Sequence, residues 1–223
     1  MAAAVPPDAL AQAWSQGGYG DPAMWLQERT NTAADAAQAL AVALALAMLL
    51  AFLLGVASAM AVLSGEPIDT SWRDYDEAQL RRLIGKLGHA DDLDRAVKAA
   101  QMRITKEVRA RVAKLAPVLD AARTEEITAE ELAQRIRETL EYQVWADVTV
   151  ITEVTRIQAD AAAAVYRNAG VTSWVWLDSE DDRVCGTCGG NSAAGPVPFG
   201  QPFPSGDVAP PGHPRCRCAV APA

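Results

Sequence analysis

The chain has little with which to do chemistry. It holds two histidines, His89 and His213. No Ser-His-Asp set, phosphate-binding loop or dinucleotide-binding loop occurs anywhere in it. Nucleophilic hydrolysis and nucleotide chemistry therefore have no carrier, and the chain reads as non-enzymatic. Aromatic residues make up only 6%, so Ala, Leu and Val must supply most of any core. Cysteine is absent until position 185. A disulfide framework would call for a secretory context. The first 30 residues lack the basic stretch, short apolar run and small-residue cleavage site of a signal peptide. A reducing compartment, with the thiols held by a metal, is the expectation. The net charge of −8 excludes a general electrostatic attraction to nucleic acid.

Charge is missing altogether from 36–65. From Ala39 to Leu63 nearly every residue is Ala, Leu, Val, Met or Phe. About 25 helical residues rising about 1.5 Å each would cross a hydrocarbon layer of about 30 Å. Apolar residues all round leave no amphipathic face for a globular core. Two readings stand: a transmembrane helix, or an Ala-rich helix buried in a symmetric bundle of several chains. If it inserts, Arg73, Arg81 and Arg82 outweigh Arg29, which puts the C-terminal part on the cytoplasmic side.

What is present falls into four stretches. Residues 1–35, broken by Pro6-Pro7, Gly17-Gly18, Gly20 and Pro22, form an arm whose Trp14, Tyr19 and Trp25 are expected to dock on something. Residues 36–65 are the apolar helix. Residues 66–170 read as helical after a linker containing Pro67. Leu80, Leu83, Ile84 and Leu87 give one face, and Gly88 a break. Leu93, Val97, Ala100, Ile104, Val108, Val112, Leu115 and Leu119 then recur at steps of three and four, with Pro117 kinking or ending the helix. Ten Lys/Arg against four acids between Arg81 and Lys114 lie mainly off that stripe. They suit a solvated helix face better than a DNA-facing one.

Thr128-Ala-Glu-Glu131 reads as a capping box. It opens a helix whose apolar positions (Leu132, Ile136, Leu140, Val144, Val148, Ile151, Val154, Ile157, Ala161, Val165) run on to a stop at Asn168-Ala-Gly170. The β-branched run 148–152 predicts a kink. His89, beside Gly88, reads as a surface residue.

The last stretch, 171–223, carries the chemistry. Val171–Leu177 alternates like a strand, and the tail after it shows no helix signal. Cys185-Gly-Thr-Cys188 has the two-residue gap that turns two sulfurs toward one ion. After a loop rich in Pro and Gly, His213, Cys216 and Cys218 follow. Five candidate ligands compete for four tetrahedral positions, and thiolate with imidazole suits structural zinc. The tail is too short for a core of its own, so a bound ion would supply the folding energy. Four protein ligands would leave no place for a catalytic water. The competing readings are a disulfide and a redox pair. The latter should open a helix in a thioredoxin-like βαβ setting, which the sequence lacks. Asp182 and Arg183 are candidates for orienting the ligands by hydrogen bonds, with a simple surface charge the equal alternative for Arg183. The fold class is thus mainly α, with a small β-rich, zinc-stapled C-terminal lobe and one long apolar helix near the N-terminus.

With these residues in view, the last third of the chain resembles the phage head morphogenesis family, the phage Mu F-like minor head proteins. The matching pieces are Thr152-Glu153, Gly170, Trp174 to Trp176, Asp181-Asp182-Arg183-Val184-Cys185-Gly-Thr-Cys188, and an intact Pro210-Pro-Gly-His-Pro-Arg-Cys-Arg-Cys218. Val184 stands where the family often has Thr, and the Leu-Asp-Gly common after the second Cys is missing. The resemblance implies a non-enzymatic minor head component at the portal vertex of the virion, present during DNA packaging and leaving with the genome. Its partners would be the portal, other virion proteins and its own copies. The apolar helix lies outside what the family explains and adds the host inner membrane as a partner during genome delivery. The alternative is a single-span membrane protein with a cytoplasmic zinc-binding interaction module.

Overall fold

The computed structural model describes residues 45–223 apart from Asp69, Glu126 and Glu141. The 1–35 arm and the start of the expected apolar helix lie outside these residues. Among the described residues, the helices before the lobe are α1 (Ala45–Ser64), α2 (Glu77–Lys86), α3 (Ala90–Ala113), α4 (Ala116–Thr124), α5 (Ala129–Leu140) and α6 (Tyr142–Asn168). The lobe adds β1 (Ser173–Leu177), α7 (Gly186–Ala193), β2 (Val197–Pro198) and β3 (Ala219–Pro222). The protein is mainly helical with a small antiparallel sheet, as the sequence patterns indicate. The described residues divide into two compact units, Gln101–Ala146 and Ala45–Ala100 with Asp147–Ala223.

In the first of these units, Leu115, Leu119, Leu132, Ala133 and Ile136 form the core. Thr128 caps α5 by accepting the Glu131 N–H at 3.1 Å, as the box motif requires. Pro117 occupies the first turn of α4, where a missing N–H costs nothing. Arg111 spans this unit. It donates to the Leu140 carbonyl at 3.0 Å and lies 5.4 Å over the Trp145 ring.

The second unit holds α1, α2, the lobe, and residues 90–100 and 147–168 of α3 and α6. Asp76 and Gln79 cap α2 reciprocally. Gly88, at φ 81°, lets the chain turn from α2 into α3, with the His89 N–H reaching back to the Ile84 carbonyl at 3.1 Å. His89 is a correction to the surface reading. It is 5% exposed, with Nδ1 3.0 Å from Asp92, because the corner that Gly88 makes folds its side chain inward.

The expectation that α1 lacks a face for a globular core is also overturned. Leu49, Phe52, Leu53, Val56 and Ala59 are buried, while Met60, Val62 and Leu63 stay exposed. Ala and Gly in the helix allow an approach so close that a Cβ on Gly55 would lie 2.6 Å from the Gln158 carbonyl oxygen and 2.8 Å from Ala161 Cβ. Backbone proximity thus does what an amphipathic pattern does elsewhere.

The helical pattern read from Thr128 to Asn168 is carried by α5 and α6, with Glu141 between them outside the described residues. Within α6, Ile151 is exposed while Thr155 faces inward. The β-branched run 148–152 lies within α6. Gly170 ends that helix in the left-handed conformation, φ 72°, with the Val171 N–H on the Tyr166 carbonyl.

The sheet order is β2-β1-β3, all antiparallel. Trp174 and Trp176, alternate residues of β1, point to one buried face. Phe199 and Phe203 pack there, with Trp174–Phe199 centroids 4.5 Å apart and Trp176 edge-on to Phe203 at 5.2 Å.

Replacing Gly55 by Leu should lower stability by about 1–3 kcal/mol, the usual range for overpacking a tight contact. Urea unfolding of the wild type and variant checks this. An unchanged midpoint would mean that α1 does not sit against Gln158 and Ala161.

Candidate metal centre

The tail from Cys185 onward was expected to be without helix. Instead, α7 starts directly after Cys185. Gly186, Gly189 and Gly190 give it poor intrinsic propensity, so its sequence hides it. Its capping and burial explain why it forms. Cys185 is the N-cap in extended conformation, and its sulfur accepts the Cys188 N–H at 3.4 Å, as a Ser or Asp oxygen would. Asn191, 1% exposed, exchanges two hydrogen bonds with Ser205 at 2.9 and 3.0 Å, which ties α7 to the long loop. A CxxC at a helix start is also the redox arrangement. The strands flanking this helix, however, are antiparallel neighbours rather than the parallel pair of a βαβ crossover.

All five ligands singled out from the sequence gather around Cys188. The donor atoms of Cys185, Cys188 and His213 lie within 4.8 Å of one another, and so do those of Cys188, Cys216 and Cys218. The Cys188 sulfur is 3.1 Å from His213 Nε2 and 3.8 Å from the Cys216 sulfur. An ion with metal–sulfur bonds of about 2.3 Å in tetrahedral geometry spaces its sulfurs about 3.8 Å apart. His213 Nδ1 lies 2.7 Å from the Pro214 carbonyl oxygen. That oxygen can only accept, so Nδ1 carries the proton and Nε2 turns a lone pair toward the sulfurs. This is the tautomer a metal needs.

The surroundings set the thiols apart. Cys188, Cys216 and Cys218 are buried and Cys185 is partly exposed. The Cys188 N–H, at the start of α7, brings the Cys185 thiol down to about 7. Burial pushes the Cys188 and Cys218 thiols up. A cation entering the cluster must displace those protons, as metal ions do at thiol sites.

Helix α6 places the second turn. Thr152 Oγ1 accepts the Arg215 N–H at 3.0 Å and donates to the Val148 carbonyl at 2.6 Å. Thr155 Oγ1 donates to the Cys216 carbonyl at 2.7 Å, and Tyr166 Oη donates to the Val220 carbonyl at 3.3 Å. Positions 152, 155 and 166 fall on one stripe of a 3.6-residue helix. That stripe fastens the tail at three points and holds Arg215 in its left-handed conformation, φ 61°.

Asp182 and Arg183 were the residues proposed to orient the ligands. The structure gives that place to Asp181 and Arg217. Arg217, between two of the cysteines, grips both Asp181 oxygens at 2.6 and 2.8 Å. Arg183 adds its backbone N–H to Asp181 Oδ1 at 3.0 Å. Asp181 links the two cysteine turns from outside the cluster. The Arg217 hydrogen bonds, helped by the Arg183 N–H, hold its carboxyl well below the usual carboxylate range.

Two predictions follow from these contacts. Thr155→Val should cost about 1–3 kcal/mol by leaving the buried Cys216 carbonyl without its donor, while Thr155→Ser should keep most of the stability; urea midpoints compare them. Because the folded value of Asp181 is depressed, its contribution is present above the unfolded carboxylate value of about 3.9 and is lost as pH falls toward the folded one. The stability gap between wild type and Asp181→Asn, at equal metal loading, should therefore narrow below about pH 4.

The described residues thus bring the sequence-derived candidates into two three-donor groups that share Cys188, each able to hold a metal ion, and they add Thr152, Thr155, Asp181 and Arg217 as supports. Comparison of the chain with protein-family models, with curated proteins and with solved structures gives no match.

Proposed function

We propose that the protein is a structural component of a phage head, portal-associated and without enzymatic activity, whose C-terminal lobe is closed by one zinc ion. One observation supports this above the others. The pieces that carry the resemblance to the Mu F-like minor head proteins lie far apart in sequence and meet at one centre. Thr152 holds the turn containing Arg215 and Cys216. Asp181 clamps Arg217. The cysteines and His213 converge. Trp174 and Trp176 form the floor of the sheet.

Zinc suits the donors best: sulfur with one imidazole, at tetrahedral spacing, in a site more buried than open. Four of the five donors complete the shell, so the ion's role is to hold the tail on α6. Binding of structural zinc is worth on the order of 10 kcal/mol, which exceeds what a lobe of this size gains from apolar burial alone.

The portal, other virion proteins and further copies of the chain are the partners this reading assigns. The cations at Arg81, Arg82, Lys86, Arg95, Lys98, Lys106, Arg109 and Lys114 are exposed, and a DNA contact through them belongs to the same proposal. A membrane role rests on α1. Its residues Ala47–Ser64 are long and apolar enough to cross a bilayer. To do so during delivery, α1 would have to leave the contact that Gly55 makes. The same helix supports the second reading, a single-span membrane protein with a zinc-bound interaction module.

Metal analysis of the purified chain should give one zinc per chain. Its removal by a chelator should abolish the near-ultraviolet signal of Trp174 and Trp176 while most far-ultraviolet helical signal persists. Mass spectrometry of purified virions, with gold labelling, should find the protein at one vertex of the head. Its absence from virions and its retention in carbonate-washed membranes would overturn the phage reading in favour of the membrane one.

A further inference from the structure

Five donors for a four-coordinate ion leave one over, and the structure distinguishes the five. Two turns carry donors with the same two-residue gap, Cys185-x-x-Cys188 and His213-x-x-Cys216. Each closes on itself: the Cys188 N–H meets the Cys185 sulfur at 3.4 Å, and the Cys216 N–H meets the His213 carbonyl at 3.2 Å. Such a pair of turns can deliver two ligands from each side of an ion; here His213 and Cys216 belong to different donor groups, and the ion would draw them together around the shared Cys188. Cys218 belongs to neither turn. It stands next to β3, whose Ala219 pairs with Leu177, and its buried sulfur is within 4.8 Å of both Cys188 and Cys216.

We infer that Cys188, His213 and Cys216 are fixed ligands of the ion and that Cys218 is a reserve ligand, which takes the fourth position when Cys185 is lost or capped. This rests on the zinc reading above. Cys188 cannot be replaced, because it is the one donor shared by both groups. Cys185 can be, because it is partly exposed at the outer end of α7, where solvent and electrophiles reach it. When an electrophile caps Cys185, its sulfur forms the new carbon–sulfur bond, the electrophile's leaving group departs as an anion and the sulfur lets go of the ion; Cys218 gives its proton to solvent as its thiolate takes the vacated position. The shell stays at three sulfurs and one nitrogen throughout. The lobe would then keep its ion through chemical damage at its most accessible ligand, which suits a structural module that is not renewed after assembly.

Cobalt(II) replaces zinc as a probe, since the intensity of its sulfur-to-metal absorption scales with the number of bound thiolates. Wild type, Cys218→Ser and Cys185→Ser should all show the intensity of three thiolates. Cys188→Ser and the double variant Cys185→Ser/Cys218→Ser should fall to two-thirds of it or bind no cobalt. A fall to two-thirds in Cys185→Ser alone overturns the inference and leaves the metal reading intact. A wild type that binds no cobalt or zinc overturns the metal reading itself. Should Cys185→Ser fail to fold, zinc-loaded wild type treated with iodoacetamide serves instead. Protein alkylated once, at Cys185, should keep its zinc with Cys218 protected, and zinc release in step with that first alkylation overturns the inference.

Discussion

The C-terminal lobe depends on the placement of one sulfur. Cys188 is buried, closes the first turn, and faces His213 Nε2, 25 positions further on, on one side and the Cys216 sulfur on another. Protonated thiols packed in this way attract one another weakly. The hydrogen bonds around them are single and modest, each worth about 1 kcal/mol net. A cluster of this composition becomes a strong cross-link only with a cation in its midst. Everything else in the lobe arranges that meeting. The α7 N-terminus aims Cys185 and Cys188, the Thr152–Thr155 stripe of α6 aims the second turn, and the Asp181–Arg217 clamp joins the two turns from outside.

This arrangement makes α6 the organising element of its unit. One edge of the helix carries hydroxyls to the tail backbone at Arg215, Cys216 and Val220. Elsewhere on it, Gln158 and Ala161 receive the Gly55 backbone of α1. The two contacts use different physics. The first satisfies backbone groups in a segment with little regular structure, where unpaired donors and acceptors would otherwise be costly. The second gains dispersion from an approach that only a residue without Cβ permits. An apolar helix with membrane-like composition can therefore occupy a globular core without a conventional apolar stripe.

Much of this was legible in the residues. The grouping of the five candidate donors, the Gly88 and Gly170 stops, the Thr128 cap and the β1 strand follow from spacing and local propensity, and the structure contains them. The misses share a cause: tertiary contacts overrode local signals. Helix α7 is built from GTCGGNSA, a poor helix sequence, and is held by a cysteine cap and the buried Asn191. His89 turned out buried because its neighbour set a corner, and no pattern of apolar residues registers that. Asp181 and Arg217 sit 36 positions apart, and nothing in a single sequence pairs them. Arg183, chosen for proximity to Cys185, takes part only through Asp181, the neighbour that nearness along the chain did not single out.

Closure of the lobe, on the proposed reading, requires a metal ion joining the two turns. X-ray absorption at the zinc edge of the purified chain addresses that claim most directly. The predicted shell has sulfur at about 2.3 Å and one nitrogen at about 2.0 Å. A shell of oxygen and nitrogen alone, or zinc bound while all four cysteines alkylate as fast as free thiols, would contradict it.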